Sequence, residues 1–281
     1  PLWALWAVQE YAARYGIEQT RAHYGDFVSR VIDDILADKH PNLHVDDRGL
    51  IETAGHRTAA SWMAATMPGS TVPLIPRTGY LVELNALWYD ALQFAVELFD
   101  GDSAFDDRRE KWSGVSASFA PAFISMFLNE AGYLWDYVER SGPNPEVRPN
   151  MAIAIGLRHT PLDRRQRKGV LDVVTRELLT PKGLRTLSPK SGNYRPLYVG
   201  TPEERAKAHH NGPARPWLVG FYASAYLKVF GMSGVGYIDR MLIGFEEEMS
   251  QGCIGSTTAI PPSTDTEPSA MPSMWPKCSV R

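Results

Sequence analysis

The residues best suited to chemistry are concentrated in one short stretch, Thr78 to Asp90. Its part from Glu83 to Asp90 contains two carboxylates, an amide and two aromatic rings: Glu83, Asp90, Asn85, Trp88 and Tyr89. Polar groups beside aromatic rings suit a carbohydrate pocket, because a sugar offers hydroxyls for hydrogen bonds and flat C–H faces for stacking. The alternative is a capped core helix, in which the charge of Glu83 only complements the helix dipole.

The elements that must position these residues are helices. Apolar residues recur at helical spacing in Leu2 to Arg14 and from about Leu81 to Phe99, and no run alternates with the period of a strand. The sequence therefore predicts an all-α fold, with two long loops between the helices. Further helices are expected at 27–36, 106–112, 151–157, in a segment opened by Thr160 and Pro161, at 216–230 and at 237–249.

The charge, apolar runs and cysteines of the sequence argue against several classes of protein. The chain has 281 residues, 29 of them basic and 32 acidic, and a net charge of -3, which argues against a nucleic-acid partner. We find no apolar run of about 18 residues and so expect no membrane span. Cys253 and Cys278 lie far apart in sequence, which favours a cytoplasmic protein with neither a disulfide framework nor a metal site.

Five segments of the sequence carry a resemblance to one known family. They are Ser61 to Met63, Pro76 to Tyr89, Arg148 to Asn150, Leu178 to Leu187 and Gly212 to Leu218. Together they resemble the C-terminal domain of glycogen debranching enzymes, in the family's order and over residues 1 to about 256. The resemblance implies an (α/α)6-type barrel with inverting amylo-α-1,6-glucosidase activity on glycogen or another branched α-glucan, without metal or organic cofactor.

The same resemblance assigns substrate-binding roles. Glu83 and Asn85 match a V-E-I-N motif of the family, His210 falls in its Y-H-x-G motif, and one aromatic of its V-W-P-W motif is replaced by Arg215. For Arg77 and Arg148, a structural role is the alternative, in which they hold loops through carboxylates. The full predicted binding set is Trp62, Glu83, Asn85, Trp88, Tyr89, Arg148, Asn150, His210 and Trp217.

Both catalytic carboxylates that the family uses are absent from the matching motifs. Inverting hydrolysis needs an acid that protonates the leaving oxygen and a base that activates water. The acid of the T-W-M-D-A motif corresponds to Ala64, and the glutamate expected shortly after Ser256 is missing. Asp90 is the remaining candidate for a replacement acid. The resemblance therefore implies an enzyme family and impaired hydrolysis in this chain.

The two ends of the sequence depart from the family pattern. Residues 257–281 form an irregular Pro, Ser and Thr-rich tail. A shifted reading frame would allow codons for phrases resembling the family's last helix, so we hypothesise a deletion and frameshift after Ser256. Pro1 corresponds to a point inside the family's domain, so we expect an incomplete barrel that lacks its first helices and has an altered last helix. The absent N-terminal part of the same enzyme is then a candidate partner.

Alternatives stay open at several positions and for the function. The tryptophans Trp3, Trp6, Trp62, Trp88 and Trp217 are either core residues or stacking surfaces for a glucosyl ring. For the function, one alternative is a non-catalytic glucan-binding protein or decayed fragment. Another is a different (α/α)6 glycoside hydrolase, similar to glucoamylase or trehalase.

Overall fold

The computed structural model describes residues 1–53, 60–67 and 69–251, with the side chains of 246–251 left aside. Over these residues the protein is mostly helical, as predicted. The helices are α1 Leu2–Tyr15, α2 Ile17–Leu36, α3 Val82–Leu98, α4 Asp106–Phe127, α5 Asn150–Gly156, α6 Arg164–Glu177, α7 Pro202–Ala208, α8 Val219–Phe230 and α9 Val235–Gln251.

The long helices pack as consecutive pairs in two layers. Helices α1, α3, α5 and α8 contact one another in succession, and α2, α4, α6 and α9 each pack against the helix that precedes or follows them in the inner row. Rings of α1 and α8 also meet, since Trp6 lies 5.5 Å from Phe221 between ring centroids. The helix-pair architecture agrees with the all-α prediction, while a closed six-pair barrel remains a prediction.

The pattern of buried side chains distinguishes helices of the inner layer from helices of the outer layer. Nearly every side chain of α3 is buried, and all seven residues of α5 are, as expected for helices surrounded by others. Helix α4 instead buries one stripe, with Trp112, Phe119, Phe123 and Phe127 spaced four or seven residues apart, and its remaining faces are exposed or half-buried. The apolar runs in the sequence therefore identify the inner helices, and the single stripe identifies an outer one.

The prediction that strands are absent was wrong in detail. In the part of the chain that the structure describes, eight short strands form three antiparallel sheets, ordered β1-β2, β3-β4-β5 and β6-β7-β8. None is longer than three residues, which is too short to show alternation of apolar and polar residues. The strands are β1 Leu43–Val45, β2 Ile51–Thr53, β3 Tyr80–Leu81, β4 Tyr137–Glu139, β5 Gly142–Pro143, β6 Leu179–Thr180, β7 Gly183–Arg185 and β8 Ala214–Arg215.

Three helix boundaries also differ from the sequence prediction. Helix α2 begins directly after Gly16, and α4 continues well past Trp112 even though Pro121 lies inside it. Helix α6 is capped by Asp163 rather than Thr160: its side chain accepts from the Gln166 backbone N–H, and the Gln166 side chain accepts from the Asp163 N–H. A capping box stabilises a helix start more strongly than a lone threonine, which explains the shift.

One stretch has the length and composition to cross a membrane, contrary to the predicted absence of such a run. It is Pro216–Phe245, with mean hydropathy 1.2, and 39% of its most apolar window is buried. A 3-10 turn at Gly231–Gly234 divides it into α8 and α9, and Gly231 has φ 61°. Helix α8 buries Tyr222, Ala225 and Val229 against α5 and α6, so part of the apolar surface of this stretch packs in the core.

The contact between α5 and α8 depends on a glycine. A Cβ at Gly156 would lie 2.4 Å from the Phe221 carbonyl oxygen, closer than atoms can approach.

We expect Gly156→Ala to lower the free energy of unfolding by about 1–3 kcal/mol, measured by urea denaturation. Gly220→Ala on α8 is the control: nothing lies within 4 Å of its Cβ position, so alanine should leave stability unchanged or raise it. Equal effects of the two changes would contradict this close packing.

Candidate functional site

The inner helices begin at the same end of the molecule, and the loops that precede them meet there. Trp3 at the start of α1 contacts Trp217 just before α8, with ring centroids 6.0 Å apart. Asn150, the first residue of α5, is linked through Asp136 and Arg77 to Glu83 in the first turn of α3. Side chains from distant parts of the sequence are therefore collected at one end of the helix layers.

A buried guanidinium lies at the centre of this end. Arg77 donates to both carboxylate oxygens of Glu83, at 2.5 Å from Nη1 and 2.8 Å from Nη2. It also donates to both oxygens of Asp136, at 2.7 Å from Nε and 2.9 Å from Nη2. All three side chains are essentially without exposed surface. Burial alone would lower the pKa of Arg77, but Asp136 and Glu83 raise it above its usual value.

Asp136 connects this ion pair to a second arginine and to α5. Its Oδ1 accepts from Asn150 Nδ2 at 2.7 Å, and its Oδ2 lies 3.8 Å from Arg148 Nε. Arg148 in turn donates to Glu146 Oε2 at 2.7 Å and to the His210 carbonyl oxygen at 2.6 Å. The cluster thus ties β4, the start of α5 and the loop before β8 into one rigid unit.

An aromatic wall stands beside the charged cluster. Trp62 packs edge-on against Trp217 at 5.0 Å and against His210 at 5.3 Å between ring centroids. Its Nε1 donates to Asn150 Oδ1 at 2.8 Å, which fixes the ring relative to α5. Trp62 and Trp217 are both half-buried, whereas His210 is buried. Indole faces held in a fixed orientation at a cluster of polar groups can stack on a sugar ring.

A small hollow borders the charged cluster at Arg77. Ser61, Met63, Ala64 and Arg77 are among its lining residues, and the Ser61 hydroxyl accepts from Arg77 Nη1 at 3.1 Å. Its volume of about 10 Å³ is enough for roughly one water molecule and too small for a sugar. Ala64 contributes only a methyl group here.

The amylo-alpha-1,6-glucosidase family matches residues 1–273. The chain belongs to this family. It is 26% identical over 253 residues to the glycogen debranching enzyme of Saccharomyces cerevisiae, a match that takes in 75% of this chain and 16% of the yeast enzyme. The chain thus corresponds to about a sixth of the length of that curated relative.

A solved structure shares the fold at low sequence identity. The GH78 family rhamnosidase of Bacillus sp. GL1 superposes with a TM-score of 0.56 at 15% identity, over 89% of this chain and 21% of the rhamnosidase. At this identity the likeness concerns the fold alone. It agrees with the helix-pair architecture described above.

Within this amylo-alpha-1,6-glucosidase family member, three predicted pocket residues lie in the interior. Asn85 receives the Ile51 backbone N–H at 2.8 Å and donates to the Ile51 and Leu81 carbonyls, so it holds β2 against α3. Trp88 has no exposed surface and donates to the Gly49 carbonyl oxygen. Both carboxylate oxygens of Glu83 are bound by Arg77. The position of these three residues gives them a structural function, and contact with a sugar stays a prediction.

The remaining predicted residues divide between the site and other places. Trp62, Asn150, His210 and Trp217 come together, and Arg148 supports them from behind in the loop-holding role considered as its alternative. Tyr89 lies elsewhere: its ring stacks on Phe119 and lines a different hollow. Trp3 and Trp6 pack half-buried against the core. The glutamate expected after Ser256 and the tail 257–281 lie outside the described residues.

The suggestion that Asp90 replaces the missing acid was wrong. Asp90 is 2% exposed and accepts from Gln9 Nε2 at 3.2 Å and from the His159 backbone N–H at 2.8 Å. Neither partner belongs to the hollow at Ala64. Burial raises the pKa of Asp90 to about 6, which would suit a general acid, but a buried carboxylate in a separate cluster cannot reach a substrate at the aromatic wall.

Electrostatics favour a neutral imidazole at the wall. Burial lowers the pKa of His210 well below its usual value, and His209, Arg215, Arg148 and Arg77 lower it further. Its Nδ1 is buried without a hydrogen-bond partner among the described residues. An uncharged imidazole with one unsatisfied nitrogen can bond to a sugar hydroxyl, as either donor or acceptor.

Sequence reasoning missed Asp136, the residue that joins both arginines. A signal was present, because Asp136 lies between Trp135 and Tyr137 after a turn, and a carboxylate in such an aromatic run needs a cationic partner if it is buried. Arg77 and Arg148 had already been considered as residues that hold loops through carboxylates. Combining the two observations would have found the cluster.

Proposed function

We propose that this chain is the glucosidase domain of a glycogen debranching enzyme, and that it binds branched α-glucan at the aromatic wall but hydrolyses α-1,6 bonds poorly. The family membership and the wall of Trp62 and Trp217 beside His210 support the carbohydrate ligand. Its four packed helix pairs would be part of an (α/α)6 toroid, and the relatives' reaction would be inverting hydrolysis.

The observation that carries the loss of hydrolysis is Ala64 in the hollow beside Trp62. The family's acid is expected at this position, and a methyl group has no proton to give. A positioned general acid typically contributes about 10²- to 10⁴-fold to the rate. The carboxylates that remain near the hollow, Glu83 and Asp136, are both bound to Arg77 and cannot take over this task.

The alternatives differ in what a glucan assay would show. Glucose release from branched but not linear glucan would support a debranching glucosidase, whereas release from linear glucan would favour a glucoamylase-like hydrolase. Binding of branched oligosaccharide without turnover is the result we expect, and it marks the non-catalytic class that Ala64 favours. Absence of both binding and turnover would overturn the proposal.

The aromatic wall gives a specific prediction for glucan affinity. We expect Trp62→Ala to raise the Kd for a branched malto-oligosaccharide about tenfold, because the stacking surface and the anchor to Asn150 are lost together. Calorimetric titration would measure it. Trp135→Ala is the matched control, since Trp135 is also half-buried but packs against Tyr133 rather than at the wall. An equal loss of affinity in both variants would place the glucan elsewhere.

A further inference from the structure

A second and larger hollow lies at the other end of the inner helices. Its volume is about 230 Å³, and it is lined by Tyr89 and Gln93 of α3, the loop between α5 and α6, and Arg167 of α6. The loop follows the last turn of α5, whereas the aromatic wall lies at the first turn. The two hollows share no lining residue. The second hollow is therefore a separate feature of the molecule.

Two guanidinium groups face this hollow. Arg167 donates from Nε to the Asp163 carbonyl oxygen at 3.3 Å, and in the described part of the chain no carboxylate pairs with it. Arg158 is partly exposed and lies 3.3 Å from Glu97 Oε2. The Thr160 hydroxyl also lines the hollow. Two arginines with a hydroxyl are a donor set that matches the oxygens of a phosphate group.

Behind the arginines, two buried polar atoms lack hydrogen-bond partners. Glu97 Oε2 is contacted by Arg158 Nη2 at 3.3 Å and by His159 Nε2 at 3.5 Å, and neither contact has the geometry of a hydrogen bond. Burial lowers the pKa of His159, so its imidazole is neutral near pH 7. A neutral imidazole and a carboxylate side by side offer a donor and an acceptor, as a sugar hydroxyl requires.

The charges around the hollow do not cancel the arginines. Glu97 contributes one negative charge, and Lys228, whose Nζ donates to the Gly156 carbonyl oxygen at 2.8 Å, lies near Asp90. Burial raises the pKa of Asp90 to about 6 and lowers that of Lys228 to about 8, so these two groups largely balance each other at neutral pH. The lining is left with a net positive charge.

We propose that this hollow binds a phosphorylated monosaccharide, with its phosphate on Arg158, Arg167 and Thr160 and its hydroxyls on Glu97, His159 and Gln93. The phosphate would separate Arg158 from Glu97, which frees the carboxylate for a sugar hydroxyl. The site is distinct from the glucan-binding wall, and its existence does not depend on glucan binding or hydrolysis. A ligand here would contact α3 directly, the helix whose first turn holds Glu83.

Calorimetric titration with glucose 6-phosphate, inorganic phosphate and glucose tests the proposal. We expect glucose 6-phosphate to bind, inorganic phosphate to compete with it more weakly, and glucose to bind least. Arg167→Ala should raise the Kd for glucose 6-phosphate about tenfold or more, because a charge-assisted hydrogen bond is lost. Arg165→Ala on the same helix is the matched control, since Arg165 is exposed and does not line the hollow.

Each outcome of these titrations supports or overturns the proposed phosphosugar site. Loss of affinity in Arg167→Ala but not in Arg165→Ala, with unchanged affinity in Trp62→Ala, would support a separate phosphosugar site. Equal affinity for glucose and glucose 6-phosphate would overturn the phosphate assignment, and equal affinity for inorganic phosphate and glucose 6-phosphate would overturn the sugar assignment. No binding of glucose 6-phosphate at millimolar concentration would overturn the site. Glucan binding measured on the same sample reports separately on the proposed function.

Discussion

Replacing Arg77 by alanine is expected to lower the free energy of unfolding by about 3–5 kcal/mol, the range found when one partner of a buried ion pair is removed. The change leaves Glu83 and Asp136 as two carboxylates without their cation, and neither has exposed surface through which water could compensate. Arg148 lies 3.8 Å from Asp136 and would neutralise only one of them. Urea denaturation followed by circular dichroism would measure the loss.

Further variants can distinguish uncompensated charge from loss of packing as the cause of this destabilisation. Arg77→Met in the background of Glu83→Gln and Asp136→Asn removes all three charges while keeping similar volumes. A buried ion cluster is often no more stable than a neutral replacement, so the triple variant should recover much of the loss caused by Arg77→Met alone. If the triple variant is as unstable as the single one, the effect comes from shape rather than from uncompensated charge.

An exposed ion pair provides the control for the size of the effect. Lys168 and Asp172 are paired at 2.7 Å on the surface of α6, and both side chains are about half exposed. We expect Lys168→Ala to change stability by about 0.5 kcal/mol or less, as is usual for a surface pair. A loss from Arg77→Ala no larger than that from Lys168→Ala would show that the cluster does not stabilise the fold.

The inner helices could be predicted from the sequence because their apolar runs are long and uninterrupted. Helix α3 was expected at about 81–99 and spans Val82–Leu98, and α5 was expected at 151–157 and spans Asn150–Gly156. The small sheets could not be predicted, because strands of two or three residues depend on partners far away in sequence. Tyr80, for example, pairs with Val138.

The sequence predicted which residues meet at the candidate site better than it predicted what each of them does there. Trp62, Asn150, His210 and Trp217 do meet, because the loops that carry them all precede inner helices. The burial of Glu83 and Asn85 could not be read from their position in the first turn of α3. A polar residue there faces solvent or the interior depending on what packs over it, and here Arg77 and β2 cover it.

Acidification is expected to destabilise the protein between pH 6.5 and about 4, before most carboxylates titrate. The cause is the pair His209 and His210 beside the aromatic wall, whose rings lie 4.4 Å apart. Burial lowers the pKa of His209 to about 4, with a contribution from the positive charge of Arg215. The pKa of His210 is also lowered well below its usual value, by burial and by its neighbours.

The direction of this change in stability follows from which state, folded or unfolded, binds protons first as the pH falls. As the pH falls below 6.5, the histidines of the unfolded chain take up protons while the folded chain keeps His209 neutral, so the stability present above pH 6.5 is lost as the pH approaches 4. For His209 alone the loss corresponds to about 3 kcal/mol, and His210 adds to it. Asp90 acts in the opposite direction: its pKa is raised from 3.8 to about 6, so acid stabilises the folded state within that window.

Three variants would separate these contributions in urea denaturation at pH 7, 6, 5 and 4, roughly the span over which the shifted groups titrate. The double change His209→Gln and His210→Gln should flatten the fall in stability, since it removes both groups that resist protonation. Asp90→Asn should make the fall steeper below pH 6, because its opposing contribution disappears while its Oδ1 can still accept from Gln9 and His159. His23→Gln, at an exposed position on α2, should change nothing. A double variant that falls as steeply as wild type, or an Asp90→Asn variant whose stability stays flat from pH 6.5 to 4, would show that the buried histidines do not control acid stability.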